Sequence, residues 1–173
     1  MKKTKYILFF FFILLLQTTS GAQPPHYVDF KYVLNESKAG KEAQIFLKKK
    51  LDSGIKSLQK SEKAIQEEEK KIIQQKKLIS PEDYKTKVTK LREKVASLQN
   101  QRNKLLDTVA KQRSKARTEL LKNLNPIIKD YMNEKKIRMV LDKKSILLAD
   151  ENLDITKEIT DLLNKKLKSI NLK

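Results

Sequence analysis

Histidine and cysteine, the side chains most often used for metal binding and nucleophilic catalysis, are almost missing: the chain has no cysteine and one histidine, His26. A metal site or a Ser/His pair would rest on His26 alone, beside Pro24 and Pro25, whereas such chemistry needs several convergent groups. Asp29 and Asp142 stand next to predicted strand ends and invite a paired-carboxylate reading. No histidine, metal-ligand cluster or glycine-rich phosphate loop accompanies them, so cap or turn roles fit better. The residues therefore point to a non-enzyme without cofactor or metal.

What the sequence does supply is positive charge, with 39 Lys and Arg against 21 Asp and Glu. Such a balance favours anionic partners: nucleic acid, an anionic membrane surface or acidic polypeptide. The opening residues, MKKTKYILFFFFILLLQTTSGA, have three lysines, an apolar run from Tyr6 to Leu16 and the small residues Ser20, Gly21 and Ala22. That is the pattern of a secretory signal peptide, and eleven apolar residues fall short of the about 20 that span a membrane. No cysteine follows to accept a lipid. Cleavage is expected after Ala22, leaving 36 basic and 21 acidic residues in an exported chain. Export makes nucleic acid the least fitting partner and leaves polypeptide and membrane surface open.

The elements that carry this charge are helical. Between Leu47 and Arg117 there are 21 apolar residues in 71, too few for a globular core and enough for a seam between helices. Tyr84, Val88, Leu91, Val95, Leu98, Arg102, Leu105 and Val109 alternate four and three residues apart, as a coiled-coil seam requires. Upstream, Leu47, Leu51, Ile55 and Leu58 lead into Ile65, Ile72 and Ile79 at intervals of seven, with Glu62, Glu69 and Lys76 expected at the alternate positions. Half of that seam is polar, which predicts a looser distal coil.

The two patterns meet at Leu78-Ile79-Ser80-Pro81-Glu82-Asp83. Ser80 suits an N-cap, Pro81 the first helical position, and Glu82 and Asp83 the positive helix end, so a new helix starts here and the chain reverses. Folding about residue 80 sets Ile73 near Val88, Ile65 near Val95, Leu58 near Arg102 or Leu105, and Leu51 near Val109. The result is an antiparallel hairpin with arms of roughly 35 residues, about 50 Å long. Gly54 lies within the first arm, either tolerated on an exposed helix or acting as a hinge.

Beyond Arg117 a wider apolar face, Leu120, Leu121, Leu124, Ile127, Ile128, Tyr131 and Met132, predicts that the helix enters a core, with a kink at Pro126. IRMVLD (137–142) and SILLAD (145–150) read as a two-stranded hairpin, and Asp154-Ile155-Thr156 introduces a helix that buries Ile155, Ile159, Leu162, Leu163 and Leu167. A lone hairpin is marginal in water, and the only other strand candidate is Tyr27 to Phe30. The fold class is α+β: residues 23–46 and 118–173 form a small β-strand body, and residues 47–117 form a helical hairpin with its tip near 80.

With YVDFKYVLNESKAGKEA at the front and VLDKKSILLADENLDIT at the back, this order of elements resembles the Skp/OmpH family of periplasmic chaperones. The matching positions are Val28, Asp29, Val33, Leu34, Ser37, Gly40 and Ala43, then Val140, Leu141, Asp142, Ala149, Asp150, Asp154, Ile155 and Thr156. The resemblance implies a jellyfish-like homotrimer in the periplasm whose hairpins, as tentacles, surround a cavity. In it, unfolded outer-membrane proteins would be held without ATP and delivered for membrane assembly. A trimer also fits the physics, since shared strands would close sheet edges and enlarge a small core.

Client or anion binding is expected to be collective. It falls on Lys76, Lys77, Lys85, Lys87, Lys90 and Arg92 near the tip and on Lys104, Lys111, Arg113, Lys115 and Arg117 along the second arm. Lys41 to Lys122 hold 23 basic and 11 acidic residues, so converging arms would focus positive potential. Ile72, Ile73, Leu78, Ile79 and Tyr84 supply apolar contacts at the tip, or else only close the coil. Two rival readings are a coiled-coil adaptor between envelope components and a peripheral binder of anionic lipid or lipopolysaccharide.

Overall fold

Asp29 closes the first strand and opens the first helix. Its carboxylate accepts the Tyr32 amide at 2.8 Å, while its own N–H donates to Thr156 Oγ1 at 2.8 Å. In the computed structural model, which describes residues 23–172, strand β1 spans His26–Val28 and helix α1 spans Phe30–Glu36. The strand is thus shifted from the expected Tyr27 to Phe30, because Asp29 is taken up as the helix cap. The leader expected over residues 1–22 lies outside the described residues.

Ser37 ends α1 and caps the long helix α2, Lys38–Gln75, accepting the Gly40 amide at 3.2 Å. At this elbow a Cβ on Gly40 would lie 2.0 Å from the Leu34 carbonyl oxygen, a backbone atom that cannot step aside. Glycine is required by this close approach. Helix α3, Pro81–Lys135, returns antiparallel to α2. Its start is the predicted one: Ser80 Oγ accepts the Asp83 amide at 3.1 Å and donates to Asp83 Oδ2 at 2.6 Å. Pro126 is accommodated within a helix that continues to Lys135, and the left-handed Lys136, with φ 58°, ends it.

Strand β2, Val140–Asp142, pairs with β1 in parallel, His26 opposite Val140 and Val28 opposite Asp142, so the whole helical hairpin is the crossover between them. Tyr27 also bridges to Asp154, whose neighbour Ile155 donates its N–H to the Tyr27 carbonyl at 3.0 Å. The expected pairing of 137–142 with 145–150 does not form. Asp142 accepts the Lys144 amide and turns Lys143–Ser145 into a 3-10 helix, and Asp150 does the same for Glu151–Leu153. These local bonds compete with a strand ladder. Leu147 and Leu148 are left 96% and 91% exposed.

Helix α4, Thr156–Lys166, closes the base. Val28, Val33, Leu120, Leu124, Ile127, Ile128, Ile137, Ile155, Ile159 and Leu163 form one buried cluster, with Leu121, Tyr131, Met132, Leu162 and Leu167 packed on it. This is the core predicted from the wide apolar face of α3 and from the closing helix. Beyond it, the tail turns back along the arms. Leu172 packs against Ala43, Leu47 and Ala116, and its carbonyl accepts Gln112 Nε2 at 2.5 Å.

Candidate functional site

The arms are held by a seam whose frame is set by burial. On α2 the inward positions are Leu47, Leu51, Gly54, Leu58, Ser61, Ile65, Glu68, Ile72 and Gln75, a regular four-three alternation. The frame therefore differs by one residue from the expected one at Ile55, Glu62, Glu69 and Lys76, which are all exposed. Gly54 occupies a seam position, and a Cβ there would come 2.5 Å from Leu105 Cδ2. It is a packing niche filled from the opposite arm, not a residue tolerated on an exposed surface. A sequence reading prefers isoleucine to glycine at a seam, so this residue escaped the apolar pattern.

Polar cross-links occupy the distal seam. Lys87 Nζ donates to Gln75 Oε1 at 2.6 Å and Lys94 Nζ to Glu68 Oε2 at 2.5 Å, both between α2 and α3. The two lysines are seven residues apart, as are their partners, so the same geometry repeats along the coil. The register is the one anticipated from folding about residue 80: Leu58, Arg102 and Leu105 line one cavity. Val95 and Arg102 keep seam spacing in sequence yet are exposed, because α3 is rotated to bring Lys87 and Thr108 inward.

Each sequence-predicted binding residue can now be placed. Lys76, Lys77, Lys85, Lys90 and Arg92 are exposed near the tip, and Lys87 is half-buried by its bond to Gln75. Lys104, Lys111, Arg113, Lys115 and Arg117 are exposed along α3, with Lys111 paired to Asp107 at 2.8 Å. Of the apolar tip residues, Ile72 is buried in the seam, and Ile79 and Tyr84 are half-buried. Ile73 and Leu78 are 60% and 82% exposed, and Lys76 stands over the Tyr84 ring at 5.6 Å. The side chains spread over two helices as a surface and converge on no single point.

Asp29 and Asp142 both act as caps, bonded to the Tyr32 and Lys144 amides. Among the described residues, no cluster of His, Cys, Asp or Glu is arranged to hold a metal. No helix among them is long and apolar enough to cross a membrane.

Among solved structures, the chain is similar to one from Caulobacter crescentus CB15 described as an OmpH-like outer membrane chaperone. The TM-score is 0.79 at 22% identity, covering 90% of this chain and 94% of that one. The likeness shows the fold, a long helical hairpin on a small base. No curated protein matches the chain. Residues 26–163 match the family described as outer membrane protein (OmpH-like). That match takes in both strands, the whole helical hairpin and most of the closing helix, and by it this chain belongs to the OmpH-like family.

Proposed function

We propose that the protein is a periplasmic, ATP-independent holdase that keeps unfolded outer-membrane proteins soluble between its arms and passes them on for membrane assembly. The observation that carries this reading is the composition of the arms. They hold a polar, thin seam, an outer surface rich in Lys and Arg, and exposed isoleucines and leucines such as Ile73 and Leu78. Many dispersed weak contacts suit a chain that must be held without being folded, and the positive field speeds its capture.

The working form is a homotrimer. The exposed pair Leu147 and Leu148 and the outer edge of β2, the side away from β1, supply a surface for other copies in the base. Light scattering of the purified protein with an outer-membrane β-barrel protein diluted from urea tests both points. A trimer that keeps the barrel protein soluble at less than one client per trimer is expected, with association slowed by added salt. A monomer that leaves the client to aggregate, or salt-independent capture, overturns the reading.

A second reading is favoured by Leu78, which projects from the tip beside exposed Lys76 and Lys77. Those residues suit contact with anionic lipid or lipopolysaccharide. Co-sedimentation with anionic but not neutral vesicles, lost in Leu78→Ser, tests it.

A further inference from the structure

The two sides of the hairpin are unlike. On α2, residues one or four places after the seam positions Leu51, Leu58, Ile65 and Ile72 fall on one flank, and those one place before or two after fall on the other. The first flank carries Ile55 and Ile73, both exposed; the second carries Lys50, Lys60 and Lys71. On α3, residues one or four places after Leu91, Leu98 and Leu105 include Arg92, Val95, Arg102 and Leu106. Those one place before, or at the equivalent place before Gln112, include Lys90, Lys104 and Lys111.

A cavity of about 290 Å³ ties the flanks together, because Ile55 of α2 and Leu106 of α3 both line it. One side of the hairpin therefore gathers the exposed apolar residues with Arg92, Arg102 and Lys76 and the acids Asp52, Glu62 and Glu69, and the opposite side is richer in lysine, which outnumbers its acids Glu67, Glu93 and Asp107. Arg102 and Glu62 stand at this cavity without an ion pair to each other among the described residues. Their charges are free to meet a ligand.

We infer that the Ile55–Leu106 side is the client-facing side of each arm, and that its cavity seats an apolar side chain of an extended, unfolded polypeptide. Arg102 and Glu62 receive the acidic and basic neighbours of that side chain. The inference rests on the holdase reading and names the surface that performs it. Mixed charge beside exposed apolar residues suits polypeptide, which brings both signs, whereas Glu62 and Glu69 would repel an anionic headgroup. The lysine side faces outward, where like charge keeps the arms hydrated and apart.

The absence of cysteine permits a direct test with single cysteines carrying a photocrosslinker, in the full-length protein holding a urea-diluted outer-membrane β-barrel protein. Ile55→Cys, Ile73→Cys, Val95→Cys and Leu106→Cys should crosslink to the client, while Lys60→Cys, Lys71→Cys, Lys90→Cys and Lys104→Cys should not. The double variant Ile55→Ser with Leu106→Ser, both at exposed positions, should weaken client binding about tenfold, and Lys60→Ser with Lys104→Ser much less. Crosslinks mainly from the lysine positions, with client still kept soluble, overturn this assignment and leave the holdase reading standing. Failure of the unsubstituted protein to keep the client soluble overturns both.

Discussion

The base and the arms of this molecule are built on opposite terms. In the base, Val28, Val33, Leu124, Ile159 and Leu163 are all shut off from solvent and pack in one cluster. Along residues 48–115, only Leu58 and Ile72 are buried, and the distal seam is bridged by Lys87–Gln75 and Lys94–Glu68. Apolar burial contributes about 25 cal/mol per Å², so stability is concentrated where the ends of four helices and the sheet meet. The arms are left with a seam just sufficient to pair them. The contrast separates the two tasks: the base fixes the structure, and the arms remain free to present charge and apolar contacts.

The sharpest way to break that contrast is to truncate one side chain in each region. Leu124→Ala should destabilise the protein by about 3 kcal/mol in urea denaturation, because it opens a cavity in the closed cluster. Ile65→Ala, at a half-buried seam position, should cost about 1 kcal/mol or less. Equal losses would mean the arms are as tightly packed as the base.

The two glycines sharpen it next. Gly40→Ala drives a methyl group into the Leu34 carbonyl at the elbow, and should cost about 1–3 kcal/mol by thermal denaturation. Gly54→Ala meets the Leu105 side chain, both methyls and Cγ, and no backbone atom, so repacking of one leucine can relieve it. Its strain is offset by the better helix propensity of alanine, so a net change below about 1 kcal/mol is expected.

A smaller effect is expected at Asp154, where the strand, a turn and the closing helix meet. Burial alone would raise its pKa, but the Thr156 hydroxyl and amide and the Lys143 ammonium outweigh burial and hold the carboxyl below its ordinary value of 3.8. A depressed folded pKa gives stability that is present at neutral pH and lost as the pH falls below 3.8 through the folded value. Asp154→Asn should therefore cost about 1 kcal/mol at neutral pH and much less in acid, read from urea midpoints at the two conditions. An unchanged gap between the proteins across that range would contradict the assignment.

The regions also differ in how far they could be read from sequence. In the base, the wide apolar face from Leu120 to Met132 and the spacing from Ile155 to Leu167 announced the core, because large apolar residues recur there at helical spacing and pack in one cluster. The parallel pairing of β1 with β2 was not legible. It joins segments 114 residues apart, while SILLAD has the texture of a strand and is claimed instead by Asp142 and Asp150 as caps. The inward turn of Leu172 was also missed, since Leu167, Ile170 and Leu172 in so short a tail set no regular period.

On the arms the hairpin, its turn at Ser80 and its register were legible from heptads and capping chemistry. The seam frame was not, because Gly54, Ser61, Glu68 and Gln75 are inward-facing residues without an apolar signature. That one-residue difference turns Ile55 outward, and the two-sided character of the arms follows from it. Ile72, read in sequence both as a seam position and as an apolar tip contact, is spent in the seam.

Amide hydrogen exchange with and without a urea-diluted outer-membrane β-barrel protein tests the division of labour most directly. In the free protein, slow exchange is expected around Val33, Leu124 and Ile159, and fast exchange along residues 60–100. Added client should protect the arms and leave the base unchanged. Protection confined to the base, with arm amides exchanging as before, would contradict the account.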